Sequence, residues 1–161
     1  MGQDREGDHG PGDGRLQVHD HPAKQCDPAT KRRCPMKRGY ADTPQGQIHY
    51  TTAGEGEPLL LLHQTGSSRH FYKMMPILAE RYRTYAPDNL GAGNSDPLPP
   101  NVRIADLARS MIDFMDFLGI EKAHVFGFHT GNKIGTEMAA AWPSRVDRLI
   151  LCGHTHDILA K

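Results

Sequence analysis

The stretch Gly127-Phe128-His129-Thr130-Gly131 joins two segments of different character. Residues 123–126 form a short apolar run typical of a buried strand, and residues 131–142 have the pattern of a helix. A glycine on each side of the central histidine indicates that neighbouring backbone comes too close to tolerate a Cβ atom. The stretch therefore predicts a sharp strand-to-helix turn that exposes the His129 side chain at one edge of a sheet.

The rest of the chain from residue 40 onward alternates between strand-like and helix-like segments. We predict strands over residues 47–53, 59–62, 83–87 and 149–152, a helix over 71–79, and the strongest amphipathic helix over 104–118, which ends at Gly119. Four leucines in a row at 59–62 are typical of a strand buried on both faces. This alternation predicts a mostly parallel, doubly wound α/β sheet whose ligands bind beyond the carboxyl ends of its strands. The solvent face of the second helix is predicted to carry Asp106, Arg109, Asp113 and Asp116.

Composition separates residues 1 to about 38 from the remainder of the 161-residue chain. The first segment has almost no aliphatic residues, so we predict a disordered tail, with Met36 as an alternative start of the protein. A formal net charge of zero gives no sign of nucleic acid or a membrane surface as a partner. Three cysteines at irregular spacing argue against a disulfide framework, and we expect a cytoplasmic protein.

Three motifs together resemble the N-terminal half of the α/β-hydrolase superfamily. Residues 61–68 resemble its histidine–glycine oxyanion loop, with Gln64 in place of the usual glycine. Residues 88–96 resemble its D-x-x-G-x-G-x-S-D turn, and residues 127–131 its G-x-S-x-G elbow, with His129 at the serine position. The resemblance covers residues 48–153 and implies that residues 40–161 form half of such a domain, with the sheet truncated before its last strands.

The resemblance also implies the roles of the site residues. His129 occupies the nucleophile position, and the backbone N–H groups of Gln64 and Thr130 correspond to the oxyanion hole. The acid and the histidine of the family's catalytic triad follow later strands, so the resemblance places neither in this chain. Neutral imidazole already offers a nitrogen lone pair, so His129 would act as a direct nucleophile or as a general base on water. The implied substrate is a small ester-like or other carbonyl compound, with no cofactor and no metal.

Other polar residues receive structural interpretations. We expect His63 to order its own loop, and Ser95 and Asp96 to brace the turn after Asp88. His154, Thr155, His156 and Asp157 are interpreted as surface or lid residues rather than metal ligands, and the spacing of His19, His21, Cys26 and Cys34 matches no zinc pattern.

Three alternatives to a hydrolase remain open. The chain could be a non-catalytic, ligand-binding member of the same fold, or a cofactor-free lyase or oxygenase in which His129 moves a proton. It could also be a truncated reading frame without function. In that case the apolar strand near Leu149–Cys152 would be left as an unpaired sheet edge, which invites self-association.

Overall fold

The computed structural model describes residues 34–98 and 100–153, and these residues form a six-stranded sheet covered on both faces. The sheet order is β1-β2-β4-β3-β5-β6, with β1/β2 and β2/β4 antiparallel and the other pairs parallel. The mostly parallel α/β sheet predicted from the sequence is confirmed. The strands are β1 Lys37–Thr43, β2 Gly46–Ala53, β3 Glu57–Leu62, β4 Tyr82–Pro87, β5 Ala123–Phe128 and β6 Val146–Cys152.

Strand β3 lies at the centre of the core and is buried on both faces, as its run of leucines predicts. Leu60 and Leu62 belong to one apolar cluster, whereas Leu59 and Leu61 belong to a second cluster. The first cluster holds the buried faces of helices α2 (Ile104–Phe117) and α3 (Thr130–Ala141). The second holds a 3₁₀ turn (Ser68–Phe71) and helix α1 (Met75–Leu78). Successive side chains of a strand point to opposite faces of the sheet, so the four leucines of β3 contribute to both apolar clusters.

Helix α2 ends where the sequence predicts. Gly119 follows it at φ 67°, its N–H donates to Asp116 O at 3.0 Å, and the N–H of Ile120 donates to Met115 O at 2.8 Å. This pair of hydrogen bonds closes a helix at a left-handed glycine. The helix predicted over residues 71–79 is instead divided into the 3₁₀ turn and α1, because Pro76 has no N–H to donate and fits only the first turn of a new helix.

Three details correct the sequence predictions. Strand β1 was not predicted, and it begins at Lys37, inside the segment assigned to the tail. Asp113 was expected at the solvent face but is only 7% exposed. Its carboxylate is stabilised in this buried position by hydrogen bonds from Arg109 and Gln45. Cys34 is disulfide-bonded, although the sequence argued against a disulfide framework.

Strand β6 pairs with β5 on one side, and no other described strand pairs with it. Its Ile150 and Leu151 side chains are 53% and 42% exposed. Within residues 34–98 and 100–153, no helix is both long enough and apolar enough to cross a bilayer.

Candidate functional site

His129 occupies the turn between β5 and α3, at the carboxyl edge of the parallel strands. Its backbone adopts φ 53° and ψ −105°, a strained region that residues with a side chain rarely enter. The His129 N–H donates to Cys152 O at 3.1 Å, which ties the turn to the end of β6. The His129 side chain is half-buried, and its Nδ1 lies 3.5 Å from Thr130 Oγ1.

The two glycines of this turn are required by close packing of backbone on backbone. A Cβ atom on Gly131 would lie 2.0 Å from Leu62 O, and one on Gly127 would lie 2.6 Å from Gly131 O. The start of α3 therefore rests directly on the end of β3. This contact brings the loop that contains Gln64 next to the His129 turn.

His63 is fully buried and orders the loop after β3, as expected. Its Nε2 accepts a hydrogen bond from the Asn89 N–H at 2.9 Å, so the ring proton resides on Nδ1, which donates to Gln64 O. Burial lowers the pKa of His63, and the bond to the Gln64 carbonyl only partly opposes that shift. The neutral ring thus joins the loops that follow β3 and β4.

The backbone N–H groups of Gln64 and Thr130 make no hydrogen bond to any residue that the structure describes. The Gln64 side chain is oriented by His70. Since Ser67 O can only accept, His70 Nδ1 donates to it at 2.8 Å, and His70 Nε2 accepts from Gln64 Nε2 at 3.3 Å. The His70 ring in turn lies 6.5 Å from the Phe128 ring, centroid to centroid.

Asp88 anchors the turn after β4 from a buried position. Its carboxylate accepts hydrogen bonds from the Ser68 N–H at 2.7 Å, the Asn94 N–H at 3.1 Å and His49 Nδ1 at 2.9 Å. Burial alone would raise the pKa of Asp88, but these hydrogen bonds outweigh burial and lower it. A Cβ atom on Gly93 would lie 2.0 Å from Asp88 Oδ2, so glycine is required there.

Ser95 and Asp96 brace this same turn, as predicted. Ser95 Oγ donates to Asp88 O at 2.7 Å, and Asp96 Oδ2 accepts from the Gln47 N–H at 2.7 Å. The Asp96 bond holds the turn to β2, and the Ser95 bond holds it to the end of β4. Both side chains therefore have a structural role.

Two features of the site were missed from the sequence. The Asn132 side chain is buried and bonds both backbone groups of Cys152, donating to O at 2.8 Å and accepting from N–H at 3.1 Å. The second feature is the His49–Asp88 pair. Neither feature has a sequence signal, since α3 holds several polar residues besides Asn132, and no pattern pairs His49 with a residue on another strand.

Among the described residues, no group of three His, Cys, Asp or Glu side chains is placed to hold a metal ion. The His154–His156 segment considered in the sequence analysis lies outside the described residues, as do His19, His21 and Cys26.

Comparison with known proteins gives matches along most of the described chain. A sequence profile of the alpha/beta hydrolase fold matches residues 57–160. The 2-hydroxy-6-oxo-6-phenylhexa-2,4-dienoate hydrolase of Comamonas testosteroni is 33% identical over 112 residues, covering 66% of this chain and 39% of that protein. Haloalkane dehalogenase 2 of Mycobacterium tuberculosis is 32% identical over 119 residues, covering 73% and 42%.

A solved structure of a hydrolase also resembles this chain. A meta-cleavage product hydrolase superimposes with a TM-score of 0.65 at 31% identity, over 69% of this chain and 43% of that one. The chain thus spans about two fifths of the length of these relatives.

Proposed function

The chain belongs to the alpha/beta hydrolase fold family, and on this premise we propose that it carries the nucleophile position and oxyanion hole of a hydrolase acting on a small ester-like or other carbonyl substrate. His129 is the proposed catalytic residue. The backbone N–H groups of Gln64 and Thr130 are the proposed oxyanion donors. Relatives named as hydrolases support the reaction class, and the substrate class is our inference.

One observation carries the proposal. Two backbone N–H groups without partners among the described residues lie in the two segments that meet at the strained His129 turn. Donors in such an arrangement stabilise the negative oxygen that forms when a carbonyl carbon is attacked. The imidazole of His129 would attack that carbon directly, or take a proton from a water that attacks it.

We propose that the 161-residue chain is weakly active or inactive alone. His129 has no carboxylate and no second histidine as a hydrogen-bond partner within the described residues. Oxyanion stabilisation and binding without a complete triad leave a residual acceleration of roughly 10³–10⁴-fold over water. A longer protein containing this chain would be expected to exceed that figure.

The test is His129→Asn in the full-length natural protein, assayed against a panel of short-chain p-nitrophenyl esters. Asparagine tolerates positive φ, so the turn should survive while the nucleophilic imidazole is lost. We expect turnover to fall to the residual rate that the oxyanion hole and binding alone supply, with unchanged circular dichroism. Thr136→Ala, at an exposed position on α3, is the matched control and should retain full activity.

Equal turnover in the wild type and His129→Asn would refute a catalytic His129. Ligand-dependent stabilisation without turnover would instead indicate a non-catalytic binding protein. Product analysis separates hydrolysis from the lyase and oxygenase alternatives, because only hydrolysis places an oxygen of labelled water in the acid product.

A further inference from the structure

A cavity lies on the β2 side of the loops that follow β3 and β4. Its volume is about 340 Å³. It is bordered by backbone and polar or charged side chains, with Tyr72 as the one aromatic residue among those that line it. Such a lining suits a polar ligand rather than a hydrocarbon. The lining residues used below are Arg38, His49, Ser68, Arg69 and Asp88.

A buried histidine–carboxylate pair forms the inner part of the cavity. His49 and Asp88 are 4% and 2% exposed, and His49 Nδ1 lies 2.9 Å from Asp88 Oδ2. The Asp88 carboxylate already accepts hydrogen bonds from the N–H groups of Ser68 and Asn94, which stabilise its charge. Because Nδ1 donates to Asp88, Nε2 of the neutral ring is an acceptor, and it has no hydrogen-bond partner among the described residues.

Three further side chains of the lining, those of Arg38, Ser68 and Arg69, are open to a ligand. Neither Arg38 nor Arg69 forms an ion pair within residues 34–98 and 100–153. The Ser68 hydroxyl is buried near Asp88, where it helps to lower the pKa of that carboxyl, and it has no hydrogen-bond partner among the described residues. Two guanidinium groups and one carboxylate give this cavity a net positive charge.

We propose that this cavity binds a small oxyanion, a carboxylate or phosphate group, between the guanidinium groups of Arg38 and Arg69. A guanidinium group presents paired N–H donors that match the oxygens of either group. At the inner wall the Ser68 hydroxyl can donate to the anion, and His49 Nε2, an acceptor, can pair with the O–H of a protonated phosphate. The site is separate from His129, and its occupancy requires no turnover.

Isothermal titration of the 161-residue chain with inorganic phosphate and with acetate, at constant ionic strength, tests the proposal. We expect saturable binding of at least one anion, and the tighter binder identifies the group that the site prefers. Arg38→Gln and Arg69→Gln should each weaken binding about tenfold, or about 1.4 kcal/mol, because each variant loses charge-assisted hydrogen bonds to the anion. Arg148→Gln, on β6 and away from the cavity, should bind like the wild type.

A second measurement avoids any question of folding in the variants. In the wild type, the ring resonances of His49 should shift with the same saturation curve, whereas those of His124 should not. Absence of saturation would overturn the proposal, as would an equal response to chloride. Unchanged affinity in Arg38→Gln and Arg69→Gln would also overturn it, because the anion would then bind elsewhere.

Discussion

At Gly131 the decisive distance is the 2.0 Å that would separate an added Cβ atom from Leu62 O. Neither atom belongs to a flexible side chain, so α3 must move away from β3 to make room. We expect Gly131→Ala to lower the free energy of unfolding by about 3 kcal/mol, at the upper end of ordinary overpacking. Urea denaturation measures this cost.

Gly119→Ala is the matched control for that substitution. Gly119 has φ 67° but nothing within 4 Å of its added Cβ atom, so alanine there meets only backbone strain of roughly 1–2 kcal/mol. If both variants lose the same stability, close packing at the His129 turn is not the reason for Gly131.

His63 predicts a dependence of stability on pH. Its folded-state pKa lies below the ordinary value of 6.5, because burial disfavours the charged ring. Above pH 6.5 the ring is neutral in both states and its contribution is complete. As the pH falls below 6.5, the unfolded chain binds the proton first, so stability declines until the folded-state pKa is reached.

The measurement is urea denaturation at pH 7.5 and pH 5.5 for the wild type and His63→Gln. Glutamine retains an acceptor for the Asn89 N–H but does not titrate in this range. The variant should lose less stability between the two pH values, since the remaining histidines contribute to both proteins. An identical decline would show that His63 does not carry the effect.

At the scale of elements, Asn132 fastens α3 to the last residue of β6. Its amide supplies two hydrogen bonds to Cys152, beside the bond from the His129 N–H to Cys152 O. We expect Asn132→Ala to cost about 2 kcal/mol in thermal or urea unfolding, because each buried bond contributes roughly 1 kcal/mol. Asn132→Asp retains the acceptor alone and should fall between alanine and the wild type. Thr136→Ala should be neutral, and a loss of similar size there would contradict the assignment.

The elements differ in how far their sequences determine them. Helix α2 was predicted correctly because burial of one face imposes a period on its apolar residues, and β3 because burial of both faces gives a continuous apolar run. Strand β1 was missed because it is a polar edge strand, with Ala41 as its one fully buried residue, held by backbone bonds that most sequences can form. The break before α1 was visible in Pro76, which stands inside an otherwise helical pattern.

The residues of the candidate site also differ in how far the sequence predicts their positions. The positions of His129 and Gln64 follow from motifs that are local in the sequence. The His49–Asp88 pair depends on β2 lying antiparallel to β4, with Tyr50 opposite Pro87. The alternation of strands and helices predicts parallel neighbours, so a contact across an antiparallel pair could not be foreseen from it.

At the scale of the whole molecule, β6 exposes an apolar edge with no partner among the described strands. We propose that the 161-residue chain self-associates along this edge. Sedimentation velocity over a range of concentrations should reveal oligomers, and Leu151→Lys should weaken their formation because a charge at an edge disfavours pairing. Ile77→Lys, at a 67% exposed site on α1, is the control. A chain that stays monomeric throughout, or equal association in both variants, would contradict the proposal.

The backbone N–H groups of Gln64 and Thr130 find no acceptor among the described residues. The loops that carry them are held in place by hydrogen bonds such as those of His63 and Asp88. An acceptor that reaches both N–H groups binds the folded chain and not the unfolded one. A ligand of this site should therefore raise the melting temperature of the chain in proportion to the logarithm of its concentration.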